Sequence, residues 1–125
     1  MNHVLAARIS AGFAAAGVAL GAFGAHGLKD VLSATPNGLE TWKTAVLYHL
    51  VHAVAMYMVA MTKDQLRAWW LFAGGILCFS GSLYLLSALQ WKWLGPVTPI
   101  GGVLFIAGWA KLMICSCRNQ PRGNS

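Results

Sequence analysis

Between positions 42 and 61 the chain reads WKTAVLYHLVHAVAMYMVAM, an apolar run with His49 and His52 set in its middle. A helix rises about 1.5 Å per residue, so this run, extended back to Glu40, is long enough to cross the roughly 30 Å of hydrocarbon in a bilayer. A neutral imidazole carries one donor and one acceptor, and leaving either unmet in lipid costs on the order of several kcal/mol. Both rings therefore have to face protein, and the other segments have to supply their partners. Ala45, His49, His52, Met56 and Ala60 share one helical stripe, which sets the rings among small residues that admit a neighbouring helix.

Composition agrees with a membrane as the solvent. The 125 residues are 58% hydrophobic and 10% charged, with a mean hydropathy of +0.60, too apolar for a water-soluble domain of this size. The net charge of +6 does not point to nucleic acid, because the basic residues are scattered at segment ends and not gathered on one face. They read as headgroup and orientation signals. Cys78 lies inside an apolar segment, and Cys115 and Cys117 are closer together than zinc or thioredoxin patterns require, so all three read as small apolar residues.

The expected architecture is all-α, a four-helix transmembrane bundle of up-down topology, in one domain over 1–117 followed by a polar tail over 118–125. The spans fall at about 4–24, 40–61, 66–89 and 96–115. The first carries Ala6, Ser10, Ala14, Gly17, Gly21 and Gly24 on one face, with Gly17 and Gly21 forming a GxxxG suited to close helix contact. It reads as a span in preference to a cleaved leader, for which Ala22-Phe23-Gly24 would be the cleavage site. Lys29-Asp30-Val31-Leu32 suits a short amphipathic turn at the surface. Asn37 with Glu40, and Thr62 with Gln65, are spaced as helix-capping pairs. Trp42 and the pair Trp69 and Trp70 sit where interfacial aromatics are expected. Gly74 and Gly81 with Cys78 give the third span a packing face, and Gly101 and Gly108 with Thr98 do so for the fourth. Pro96 and Pro99 open that helix, where a proline costs no helical hydrogen bond. Arg8, Lys63, Arg67, Lys111, Arg118 and Arg122 share one side against Lys29, Lys43 and Lys92 on the other, which places both termini in the cytoplasm.

Counting inward from Trp42 puts His49 about 10 Å and His52 about 15 Å deep. The antiparallel third span brings Ser80, Ser82 and Tyr84 to the same depth, the fourth brings Thr98, and His26 lies just above. A polar cluster in the outer half of the bilayer is therefore expected, over a nearly apolar cytoplasmic half. Its favoured role is a hydrogen-bond network that fixes how the helices dock and offers a contact to lipid or a partner. The alternative is a small-solute carrier or proton-linked conduit, with a homo-oligomer supplying missing walls. No acid lies within a span to couple with the rings or to orient a serine–histidine pair, and no compact ligand motif marks a metal or haem site. The expectation is a non-enzyme without a cofactor.

Several stretches together resemble a known family. They are Gly21-Ala22-Phe23-Gly24-Ala25-His26-Gly27-Leu28, Trp42 with Tyr48-His49 and His52-Ala53, Phe79-Ser80-Gly81-Ser82-Leu83-Tyr84, and Thr98-Pro99-Ile100-Gly101-Gly102 with Gly108-Trp109. The chain resembles the YgdD-like small inner-membrane proteins, a domain-of-unknown-function group with related small transmembrane proteins in eukaryotes. That resemblance implies a multi-pass protein of the bacterial inner membrane with no established biochemical activity. Lipid is the expected surrounding partner and nucleic acid is not expected, while a protein partner or a second copy is left open.

Overall fold

The structure, a computed structural model, describes residues 1–62 and 65–118, and within them every regular element is helical. Helix α1 (His3–Ala25) is followed by the short α2 (Lys29–Ser33) and by α3 (Gly38–Ala60). The third span, Leu66–Leu89, is built from α4 (Leu66–Gly75), a π-helical turn (Ile76–Ser80) and α5 (Gly81–Leu89). A 3₁₀ turn (Lys92–Leu94) leads into α6 (Val97–Arg118), with Pro99 inside its first turn. Among the described residues four helices are long and apolar enough to cross a membrane, in up-down order.

The helix ends show how local chemistry sets these boundaries. Asn2 begins α1 by accepting a hydrogen bond from the Leu5 amide at 2.8 Å. The expected Asn37 cap does not form: Asn37 takes a left-handed conformation (φ 60°), whereas a capping side chain needs extended backbone to reach the following amides. Its role is to turn the chain into Gly38, where a Cβ would lie 2.5 Å from the Leu32 carbonyl oxygen. Glu40 instead makes an exposed ion pair with Lys43 at 3.8 Å. The expected Thr62–Gln65 pair does not cap α4 either. The Thr62 hydroxyl donates to the Val59 carbonyl at the end of α3, and Gln65 leads into α4 with no side-chain cap. Lys63, Asp64 and the expected polar tail from 119 onward lie outside the described residues.

Helix α3 is the hub. Along one flank α1 packs through its glycines, with Gly17 against Leu50, Gly21 against Val46 and Gly24 against Trp42. On the other flank stands the third span, and α6 packs chiefly against that span, with Gly101 on Phe79, Gly75 on Phe105 and Gly108 on Phe72. Without a hydrophobic force between helices in lipid, such close approach is what yields dispersion energy. Gly74 and Gly81, both expected at packing faces, differ. A Cβ on Gly74 would lie 3.3 Å from Leu104 of α6 and so belongs to that seam, whereas one on Gly81 would meet only the Ile76 carbonyl of its own span, at 3.9 Å. The π turn is the cause, because its wider winding rotates α5 relative to α4, so a stripe drawn at ordinary helical spacing through Gly74, Cys78 and Gly81 does not stay on one face. Leu32 of α2 and, inside the bundle, Met56, Trp69 and Phe72 are fully buried, while Val18, Leu47, Met58, Leu77 and Ile106 are exposed, forming the apolar belt that a bilayer covers.

Candidate functional site

The two histidines of α3 are buried, and each ring is satisfied at both nitrogens. His49 Nε2 lies 2.8 Å from the Phe13 carbonyl oxygen, and Nδ1 lies 2.9 Å from the Tyr84 hydroxyl. A carbonyl only accepts, so Nε2 carries the proton and Nδ1 takes the Tyr84 O–H. His52 has the opposite tautomer. Its Nδ1 donates to the Tyr48 carbonyl at 2.7 Å, and Nε2 accepts the Trp109 indole N–H at 3.0 Å. An indole nitrogen only donates, so His52 Nε2 must keep its lone pair. The His52 ring also stacks on Phe105, with centroids 3.7 Å apart, and sits 5.5 Å from the Phe72 ring.

The expected cluster is divided among several contacts. His49 and Tyr84 meet directly and tie α1, α3 and α5 together through the Phe13 carbonyl. Ser82 and Thr98 meet at 2.6 Å; since the Ser82 hydroxyl donates to the Phe79 carbonyl at 2.9 Å, Thr98 is the donor between them. Ser80, on the π turn, donates to the Ala45 carbonyl of α3 at 2.8 Å. His52 faces α6 and finds its partner in Trp109, outside the expected set. His26 is exposed beyond the end of α1 and makes no side-chain hydrogen bond among the described residues. The site is thus a series of helix-to-helix ties, each closed on itself.

Nor are the polar contacts confined to one half of the bundle. Toward the end bearing the N-terminus, the Trp69 indole donates to the Ser10 hydroxyl at 2.7 Å, which donates to the Ala6 carbonyl at 2.7 Å. This corrects the expectation of an apolar cytoplasmic half. Trp69 and Trp42 are not interfacial anchors but buried, at 2% and 4% exposure, and the Trp42 N–H is used on the Leu20 carbonyl at 2.9 Å. Sequence reasoning leaves Trp109 and Ser10 out of the polar cluster and places Ser10 only on a packing stripe. A signal was present for the first: an indole in the body of a span has no water for its N–H, so it requires an acceptor within the protein.

Beside His49 and Tyr84 runs a groove of about 540 Å³ between α1 and the third span, lined by Gly12, Phe13, Ala16, Ile76 and Leu77 among others. Its walls are apolar, since the polar atoms of His49 and Tyr84 are taken up by each other and by Phe13. Among the described residues no three His, Cys, Asp or Glu side chains converge as a metal set, and Cys78 and Cys115 are free thiols. Chemically the arrangement ties helices together and presents hydrocarbon outward.

Over residues 20–102 the chain matches the family described as a protein of unknown function, DUF423. It is 43% identical over 108 residues to the UPF0382 membrane protein YwdK of Bacillus subtilis (strain 168), covering 81% of this chain and 86% of that one. A UPF0382 membrane protein of Staphylococcus aureus (strain bovine RF122 / ET3-1) is 43% identical over 104 residues, covering 79% of this chain and 84% of the relative. One from Staphylococcus epidermidis (strain ATCC 12228 / FDA PCI 1200) is 42% identical over 106 residues, covering 81% and 85%. No solved structure matches the chain. With its four apolar spans and these relatives, the chain belongs to the DUF423 family of membrane proteins of unknown function.

Proposed function

We propose that this is a non-enzymatic, multi-pass protein of the bacterial inner membrane, of the YgdD-like kind, whose buried histidines hold the helices in register while its outer surface meets lipid and any partner. One observation carries this: all four ring nitrogens of His49 and His52 are engaged by protein groups at 2.7–3.0 Å. A proton relay needs a group that can take up and release a proton toward water, whereas His52 Nε2 is held by a donor that has no other proton to exchange. The cytoplasmic placement of both termini rests on the imbalance of basic residues between the two ends.

The test is to reconstitute the wild type and the variants His49→Asn and His52→Gln in vesicles enclosing a pH-sensitive dye, with thermal unfolding measured in parallel. The expected result is proton flux no greater than in protein-free vesicles for all three, with both variants unfolding at lower temperature. Wild-type flux abolished by either variant at unchanged stability would overturn the proposal and favour a conduit. Reporters fused to each end test the orientation separately.

A further inference from the structure

The end of the bundle bearing the N-terminus brings together two cations and a histidine from three different spans. His3 of α1, Arg67 of α4 and Lys111 of α6 line one concavity of about 330 Å³, with Leu66 beside them. The packing of Gly108 on Phe72 and of Gly75 on Phe105 fixes this convergence, because the antiparallel register it sets carries Lys111 to the first turn of α4. The His3 ring, which lines this concavity, is anchored by Nδ1 donating to the Ala60 carbonyl at 3.1 Å. Asp30 and Glu40 lie at the opposite end, and Asp64 falls outside the described residues. A second concavity of about 420 Å³ adjoins the first through His3 and runs between α1 and α3, lined by Ala7, Ala11 and Ala60 with Arg8 beside it.

We propose that this pair of concavities is a binding site for an anionic phospholipid, its phosphate held by Arg67 and Lys111 beside the His3 ring and one acyl chain lying along the alanine-lined groove. The chemistry is complementary at both ends. A guanidinium matches phosphate oxygens in a planar fork, an ammonium adds a point charge, and the groove removes hydrocarbon from competition with bulk lipid only if the chain follows it. Among the described residues no side chain caps the α4 amides beside Arg67, and they add the positive end of a helix dipole. A free phosphate would use the first concavity and ignore the second, which separates the two sources. The proposal rests on the lipid-contacting role above, but not on which side of the membrane this end faces.

Native mass spectrometry of the full chain released from detergent, loaded with dioleoyl-phosphatidylglycerol or dioleoyl-phosphatidylcholine, provides the test. The wild type should retain the anionic lipid over the zwitterionic one by about tenfold or more. Arg67→Gln with Lys111→Gln should abolish that preference, while Lys29→Gln with Lys92→Gln, at the opposite end, should keep it. Ala11→Phe, which fills the groove without touching a charge, should also weaken retention, and circular dichroism confirms that each variant is folded. No preference in the wild type, or a preference surviving the Arg67 and Lys111 changes, would overturn the proposal. So would complete displacement of the lipid by millimolar inorganic phosphate, which would mark a phosphate site without an acyl component. Neither result bears on proton flux, so failure here is distinct from failure of the proposed function.

Discussion

Gly101→Ala probes the seam between α6 and the third span. A Cβ at this position would clash with the Phe79 amide nitrogen and lie 2.6 Å from its Cβ and 2.7 Å from its Cα. Non-bonded carbon contacts relax at about 3.5–4.0 Å, so α6 has to move outward by about 1 Å or more at this level. Backbone cannot step aside by changing a rotamer, so the strain passes to what the seam holds. That includes the Phe79–Phe105 contact at 5.6 Å and the His52–Phe105 stack at 3.7 Å. Overpacking of this kind costs about 1–3 kcal/mol. The reference is Gly12→Ala, where a Cβ would meet nothing within 4 Å. Because both changes replace a helical glycine, the gain in helix propensity, up to about 1 kcal/mol, largely cancels between them. Unfolding in mixed micelles of increasing dodecyl sulfate, followed by tryptophan emission, gives the difference. Equal stability of the two variants, within about 0.5 kcal/mol, would refute the tight α6 seam.

Removing the Trp109 donor with Trp109→Phe should destabilise the fold by about 0.5–2 kcal/mol, and a double-mutant cycle with His52→Phe should show coupling of about 0.6–1.7 kcal/mol; additive effects would mean the bond is not made. Ser10→Ala leaves the buried Trp69 N–H without its acceptor and should cost about 1–3 kcal/mol in the same unfolding assay, whereas Ser33→Ala at the exposed end of α2 should be neutral. Gly24→Ala would place a Cβ against the Trp42 ring and push the indole off the Leu20 carbonyl, so Trp42 should become more accessible to a water-soluble quencher. Unchanged quenching would count against the close packing of α1 on α3.

The four spans were legible because charge is so scarce in them that little besides a bilayer suits their length and hydropathy. The demand that His49 and His52 be met by protein was legible too, since it follows from imidazole chemistry alone. Which groups meet them was not. Tryptophan is both an interfacial residue and a buried donor, and the usual preference assigned Trp42 and Trp69 to the membrane surface when the packing takes them inside. Backbone carbonyls, such as that of Phe13, are invisible to a reading of side chains. The π turn at Ile76–Ser80 carries no composition signal, yet it rotates the faces on which Ser80, Gly81 and Tyr84 stand. Asn37 shows the limit of a local motif: the residue type fits a cap, but the chain needed a left-handed turn there and used it for that.

The network's most direct test is nitrogen-15 magnetic resonance of the two ring systems in lipid bilayers, with His49 and His52 assigned by single replacement. The expected spectrum has a protonated Nε2 and bare Nδ1 for His49, the reverse for His52, and slow exchange of both with water. Two rings of the same tautomer, a ring protonated at both nitrogens, or rapid exchange with bulk water would contradict the sealed, helix-tying role given to them.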